Sequence, residues 1–236
     1  MGRVAGHRGA VRSLLGPALA TAAALILLVG LGVWQLQRLA WKEALLARIA
    51  QGEAAPAVTL PSAPATPTPF SKVEVTGTLR DVGLYSIAVR TTPTGEQEGA
   101  FRLGVIERPG AAAVLVNEGW VPDGLAPDPT PRPAQVVGYV LPGQAPGFLT
   151  PRSDPASRRF FAPDPTGIGA ALGLTRVAPF ILVALGEVPP GTYPEPARHL
   201  PQPPNNHLGY ALTWFGLAAG VLGIFVTYAM QRVRPE

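Results

Sequence analysis

Apolar positions follow two regimes along this chain, unbroken near the ends and alternating in short runs between them. From Arg12 to Arg38 the intervening segment reads SLLGPALATAAALILLVGLGVWQLQ and holds no ionisable residue. From His207 to Arg232 the same is true of LGYALTWFGLAAGVLGIFVTYAMQ. Each run exceeds the roughly 20 apolar residues a helix needs to cross a hydrocarbon core about 30 Å thick. The pattern predicts a tail over 1–12, a transmembrane helix over 13–37, an external domain over 38–206, a second transmembrane helix over 207–231 and a tail over 232–236.

The first helix is expected to run on through RLAWKEALLARIA, where Leu45, Leu46 and Ile49 recur at helical spacing with no breaker before Gly52. A Pro/Ala/Thr connector follows from Ala54 to Pro69. Strand-like runs then appear at 71–79, 84–91, 101–108, 112–121 and 134–141, separated by Gly, Pro and Asp. Val73 and Val75 alternate with polar neighbours, as a half-buried strand requires. The stretch from Pro122 to Pro133 reads as a surface loop, and 164–174 as a short helix with proline near its start. PFILVAL (179–185) reads as a buried strand, before a Pro-rich return from Val188 to Pro204. The fold class is therefore an α+β membrane protein. Two terminal transmembrane helices flank an external antiparallel β-rich domain with one or two short helices, and partial closure into a barrel is open.

Charge supplies the orientation. Arg3, Arg8 and Arg12 give the first tail +3, and Arg232, Arg234 and Glu236 give the last +1, which together account for the formal charge of +4. The balanced middle is expected outside, with both tails cytoplasmic, because Lys and Arg near a span are retained on the inner side. Arg38, Lys42 and Arg48 just beyond the first span oppose this, partly offset by Glu43. The apolar core is too long for a cleaved signal and lacks a small-x-small cleavage site, so an uncleaved anchor in a bacterial inner membrane is expected, with the central domain periplasmic. The sequence pI of about 9.8 arises in the tails, and no basic patch mixes with aromatics, so nucleic acid is not an expected partner.

The chain has no cysteine, and its methionines are Met1 and Met230. Thiolate zinc sites, thiol redox pairs and CxxCH haem attachment are excluded, and a copper(I) chaperone is disfavoured. GxSxG, HExxH and GxxxxGK[ST] are absent too, so no enzymatic activity is expected. Asp154, Asp164 and Glu187 are unpaired carboxylates, and the Asp-Pro steps at Asp128, Asp154 and Asp164 read as turn formers.

Three histidines bound any imidazole chemistry: His7, His199 and His207. On a helix His207, Tyr210 and Trp214 are related as i, i+3 and i+7, which places them on one face. An imidazole among aromatics at the membrane surface can ligate a haem iron axially. The competing reading is an interfacial aromatic belt with a polar residue at the helix start. Trp34 and Trp41 have the same belt reading, with Arg38 snorkelling between them. Gly216 and Gly220 form a GxxxG spacing, and Gly16, Ala20 and Ala24 a small-xxx-small ridge. Either can join the two spans to each other or dock them on a partner.

Three blocks, GVWQLQRLAWKEALLARI (32–49), VLVNEGWVP (114–122) and NNHLGYALTWFGLA (205–218), resemble the surfeit locus protein 1 family in sequence, order and two-span layout. The resemblance implies a membrane-anchored assembly factor for haem–copper cytochrome c oxidase, linked to the haem a that enters the oxidase's largest subunit. Haem a synthase is a further implied partner. His207 corresponds to the histidine associated with haem a in that family. Tyr210 and Trp214 match its aromatic positions, and Asn206 is expected to orient the imidazole. Gly119 and Trp120 read as fold-determining. Glu118 departs from the basic residue common in the family's LVNRGW block, which puts any role for a positive charge there in doubt. An assembly scaffold acting by protein contact alone, without haem, is the alternative.

Overall fold

The computed structural model describes residues 3–62, 66–92 and 95–233. These form three helices and seven strands, grouped into two units, 1–47 with 203–236, and 48–202.

The first unit is built on helix α1 (Arg3–Ala54) and helix α3 (His207–Val233). Both are long and apolar enough to cross a membrane. Their apolar side chains are not covered by protein: Leu19 is 71%, Ile26 76% and Ile224 71% exposed. That exposure separates them from core helices of a soluble domain and is what a lipid-facing span requires. The predicted continuation of the first helix is found, and it runs past Gly52 to Ala54. Its last turns belong to the second unit, where Ile49 is buried and the backbone carbonyl of Phe70 approaches Gly52 too closely for a side chain.

The second unit is a single sheet of β1 (Val58–Thr59), β2 (Lys72–Thr92), β3 (Gly95–Glu107), β4 (Ala113–Pro122), β5 (Arg132–Pro142), β6 (Arg159–Phe160) and β7 (Val177–Ala184), with helix α2 (Pro165–Ala171) between β6 and β7. Pairing runs β2-β3-β4-β7-β5, and β5 pairs with β2 again, so the hydrogen-bonded circuit returns to its first strand. The sheet is mixed rather than antiparallel. β4 and β7 run parallel, because β5 and α2 intervene and carry the chain back to the same end. β1 and β6 add parallel two-residue pairings to β2, so part of the expected connector is strand. Val73 and Val75 are buried as their alternation predicts, within a core that includes Val114, Val116, Phe180 and Leu182. Each such side chain contributes about 1.5–3 kcal/mol by leaving water.

The expected break at 80–83 is absent. β2 is one continuous strand whose ladder to β3 slips by a residue between Asp81 and Gly83. On the other side of β3, the ladder to β4 slips between Arg102 and Leu103, leaving Glu118 without a cross-strand partner. Two bulges thus flank the same short stretch of β3, and bulges re-aim side chains. Gly119 follows the second bulge with φ of +132°, and a Cβ there would lie 2.2 Å from the carbonyl oxygen of Glu195. That close approach lets the segment around Glu195 pair with Trp120, whose N–H donates to Glu195 O at 2.8 Å and whose carbonyl accepts from Glu195 N at 2.9 Å. Trp120 is buried, donates Nε1–H to Ala88 O at 3.2 Å, and lies under the Arg90 guanidinium at 5.0 Å. Gly119→Ala combines a left-handed backbone with a steric overlap, so it should destabilise this unit by about 1–3 kcal/mol or prevent folding. A urea midpoint equal to wild type would show that the strap beside Trp120 yields freely.

Candidate functional site in the helix pair

α1 and α3 meet through small residues. The Phe215 ring packs on Gly32, where a Cβ would lie 2.6 Å from Cε1. Ala211 and Ala218 are buried on α3, and Gly32 and Gln35 on α1. Gly32 and Gln35 are one turn apart, and Ala211, Phe215 and Ala218 follow His207 at i+4, i+8 and i+11, so each set occupies one helix face. Gly16, Gly216 and Gly220 have nothing within 4 Å of a would-be Cβ. These glycines of the two predicted packing ridges therefore do not join the spans. The GxxxG pair lies opposite the α1-facing side of α3, since residues 216 and 220 fall about half a turn from 211 and 218.

The same interface holds the polar pair. His207 Nδ1 lies 2.8 Å from Gln35 Oε1. Gln35 is only 8% exposed, and His207 is half-buried. Asn206, expected to orient the imidazole, does not do so: it is exposed, and its carbonyl accepts the Tyr210 N–H at 3.3 Å. The partner is Gln35, which the sequence reading passed over. The available signal was an uncharged amide within an otherwise apolar span, where a polar side chain is a functional candidate by default. Tyr210 (57% exposed) and Trp214 (half-buried) are on α3 as expected. On α1, Trp34 and Trp41 are about half exposed, and the Arg38 guanidinium sits 5.0 Å from the Trp41 ring centroid.

Among the described residues no cluster of three His, Cys, Asp or Glu side chains could hold a bare ion. A single imidazole, held through one nitrogen and sharing a helix face with Tyr210 and Trp214, would fit a haem iron. The hydrogen bond to the far ring nitrogen is the supporting contact that metal-ligating histidines generally have.

The second unit carries a different concentration of charge. Asp81, 1% exposed, accepts from Arg102 Nη1, from Arg132 Nη1 and Nη2, and from the Asp128 N–H, each at 3.0 Å. Arg102 also donates to the carbonyls of Leu125 and Ala126. Glu118 Oε2 accepts from Arg132 Nη2 at 2.7 Å, while Oε1 is buried without a partner. Gly104 makes room for that carboxyl, since a Cβ there would lie 2.4 Å from Oε1. Four donors serve Asp81 and one serves Glu118. Burial, reinforced by the Asp81 charge, pushes the Glu118 carboxyl up to about 8, against the pull of Arg132 and Arg102. The surface carboxylates act as turn formers: Asp154 accepts from Ser157 Oγ at 2.6 Å and Asp128 from the Thr130 N–H at 3.0 Å.

These features define a class: a β-sheet unit between two apolar helices that share a glutamine–histidine pair. The SURF1 family model matches residues 22–219, and the chain belongs to that family. It is 27% identical to a SURF1-like protein of Rickettsia conorii over 212 residues, covering 86% of each chain. It is 27% identical to a SURF1-like protein of Monosiga brevicollis, covering 84% of this chain and 81% of that one. A third similarity, to surfeit locus protein 1 of Arabidopsis thaliana, is 27% over 113 residues.

The charge cluster yields a pH dependence. A carboxyl whose folded pKa lies above the unfolded value of 4.5 takes up a proton on folding. Its contribution to stability is complete below about 4.5 and is lost as pH rises through about 8. Urea midpoints for the second unit, followed by hydrogen exchange of β4 amides, should therefore fall between pH 5 and 8.5. Glu118→Gln should flatten that slope; an equal slope in the variant would assign it to other groups.

Proposed function

We propose that this protein is a membrane-anchored assembly factor for a haem–copper cytochrome c oxidase, and that His207 holds haem a while the oxidase's largest subunit matures. The observation carrying this reading is the His207 imidazole beside two aromatics on a spanning helix, tied through Nδ1 to Gln35. When bound, haem a would supply an iron centre able to take a nitrogen ligand. His207 would provide that nitrogen, and Tyr210 and Trp214 would offer apolar ring surface beside it. Membership of the SURF1 family supports the oxidase setting. The reading includes no catalytic step; the protein retains or presents the cofactor, with haem a synthase as a donor-side partner.

A second reading, assembly by contact alone, draws on the ridge at Gly216 and Gly220, which faces away from α1 and meets no side chain. Small residues on a lipid-facing ridge permit close approach of another helix. The two readings separate in one experiment. Full-length protein purified from cells that make haem a should show its absorption spectrum, and His207→Ala should lose or strongly perturb it. An unchanged spectrum in that variant removes His207 from the function. Protein free of haem that still co-purifies with the oxidase subunit would favour the scaffold.

We further propose that both termini are cytoplasmic and that the β unit lies in the periplasm of a bacterial cell. The positive tails support this orientation. The cysteine-free chain makes the test direct. A single cysteine at exposed Glu96 should react with an impermeant maleimide in intact spheroplasts. Labelling only after lysis would place the unit in the cytoplasm.

A further inference from the structure

We infer that Gln35 is a positioning residue that fixes the tautomer of His207, keeping the proton on Nδ1 and the lone pair on Nε2. The use of that lone pair rests on the reading of His207 as a haem ligand; the tautomer itself does not. Gln35 Oε1 is a carbonyl oxygen and can only accept, so the Nδ1 facing it at 2.8 Å must carry hydrogen. A neutral imidazole has one N–H, so Nε2 is the nitrogen left to bind a metal.

Two surrounding features hold the arrangement. Gln35 is 8% exposed and lies one turn beyond Gly32, where Phe215 of α3 presses on the α1 backbone. The helix pair therefore keeps the amide opposite the imidazole. Gln35 is shielded from solvent by the helix contact, so an amide without the imidazole would be a buried polar group with no partner to replace it. Gln35 thus acts through His207 and need not touch the cofactor. It differs from Asn206, which is exposed and engaged only through its backbone.

The test uses full-length protein in nanodiscs, free of haem, with ¹⁵N-labelled histidine. His7→Gln and His199→Gln leave His207 as the sole imidazole. At a pH where the ring is neutral, the δ nitrogen should resonate as a protonated nitrogen and the ε nitrogen as an unprotonated one. Gln35→Leu removes the acceptor and should convert this single pattern into a mixture that includes the Nε2–H form. Gln35→Glu restores an acceptor and should restore the single pattern, which a merely structural role for Gln35 would not require. Nε2–H in the wild-type ring, or an unchanged spectrum in Gln35→Leu, overturns the inference.

Titration with haem then separates this inference from the reading it deepens. Gln35→Leu should bind about 10–100-fold more weakly than wild type, as loss of a supporting contact to a ligand does. Wild-type affinity in Gln35→Leu overturns the positioning role. If the wild-type chain shows the fixed tautomer yet binds no haem, Gln35 still sets the ring and the haem assignment alone fails.

Discussion

A buried amide and a half-buried imidazole where two apolar helices meet need a hydrogen-bond partner, because a polar group withdrawn from water without one costs free energy. Gln35 and His207 answer that constraint with each other across α1 and α3. Satisfying it fixes more than one bond. The two helices must face each other in a single rotation, and Gly32 must come under Phe215 in the neighbouring turn. The GxxxG ridge is thereby turned outward. The polar pair and the small-residue contact are consistent with one another, so the interface is specified by both shape and hydrogen bonding.

The β unit meets a similar constraint by different means. Asp81, Arg102 and Glu118 are all under 10% exposed, and an unpaired buried charge would cost several kcal/mol. The bulges on either side of β3 bring acids from β2 and β4 to the arginine of β3, and Arg132 of β5 bridges both carboxyls. The circuit of strands is therefore tied across β2, β3, β4 and β5 by one ionic cluster as well as by its backbone ladder. The cluster is not fully matched: Arg102 Nε and Glu118 Oε1 are buried without partners. Burial and the neighbouring Asp81 charge favour the protonated form of the Glu118 carboxyl.

Much of this was legible in the chain. The spans announce themselves by length without charge, and each buried run of the sheet falls close to an apolar segment bounded by turn residues. What escaped depends on distant pairing. Asp81 and Gly83 have the composition of a turn, but the same residues form a bulge when β3 lies alongside. The parallel pairing of β4 with β7 is equally invisible locally, because strand direction is decided by the crossover through β5 and α2. At the candidate site the sequence located His207, Tyr210 and Trp214 through helical spacing. It could not supply the partner of His207, which lies 172 residues earlier on the other span. Proximity in sequence favoured Asn206, and packing chose Gln35.

Position 118 ties these points together. The resemblance implies a basic residue at this position, where a positive charge would invite a ligand-gripping role. In this chain the bulge turns Glu118 inward, where Arg132 meets it at 2.7 Å and Gly104 leaves it space. A base at that site would face two arginines and would need the surrounding charges rearranged. The acid is thus explained by its neighbours within the sheet unit, without invoking a cofactor. The imidazole of the helix pair has a different character: a single uncharged hydrogen bond, through Nδ1 to Gln35, holds it. Of the two polar centres, the one enclosed by its own counter-charges ties four strands together, and the other joins the helix pair through a single hydrogen bond.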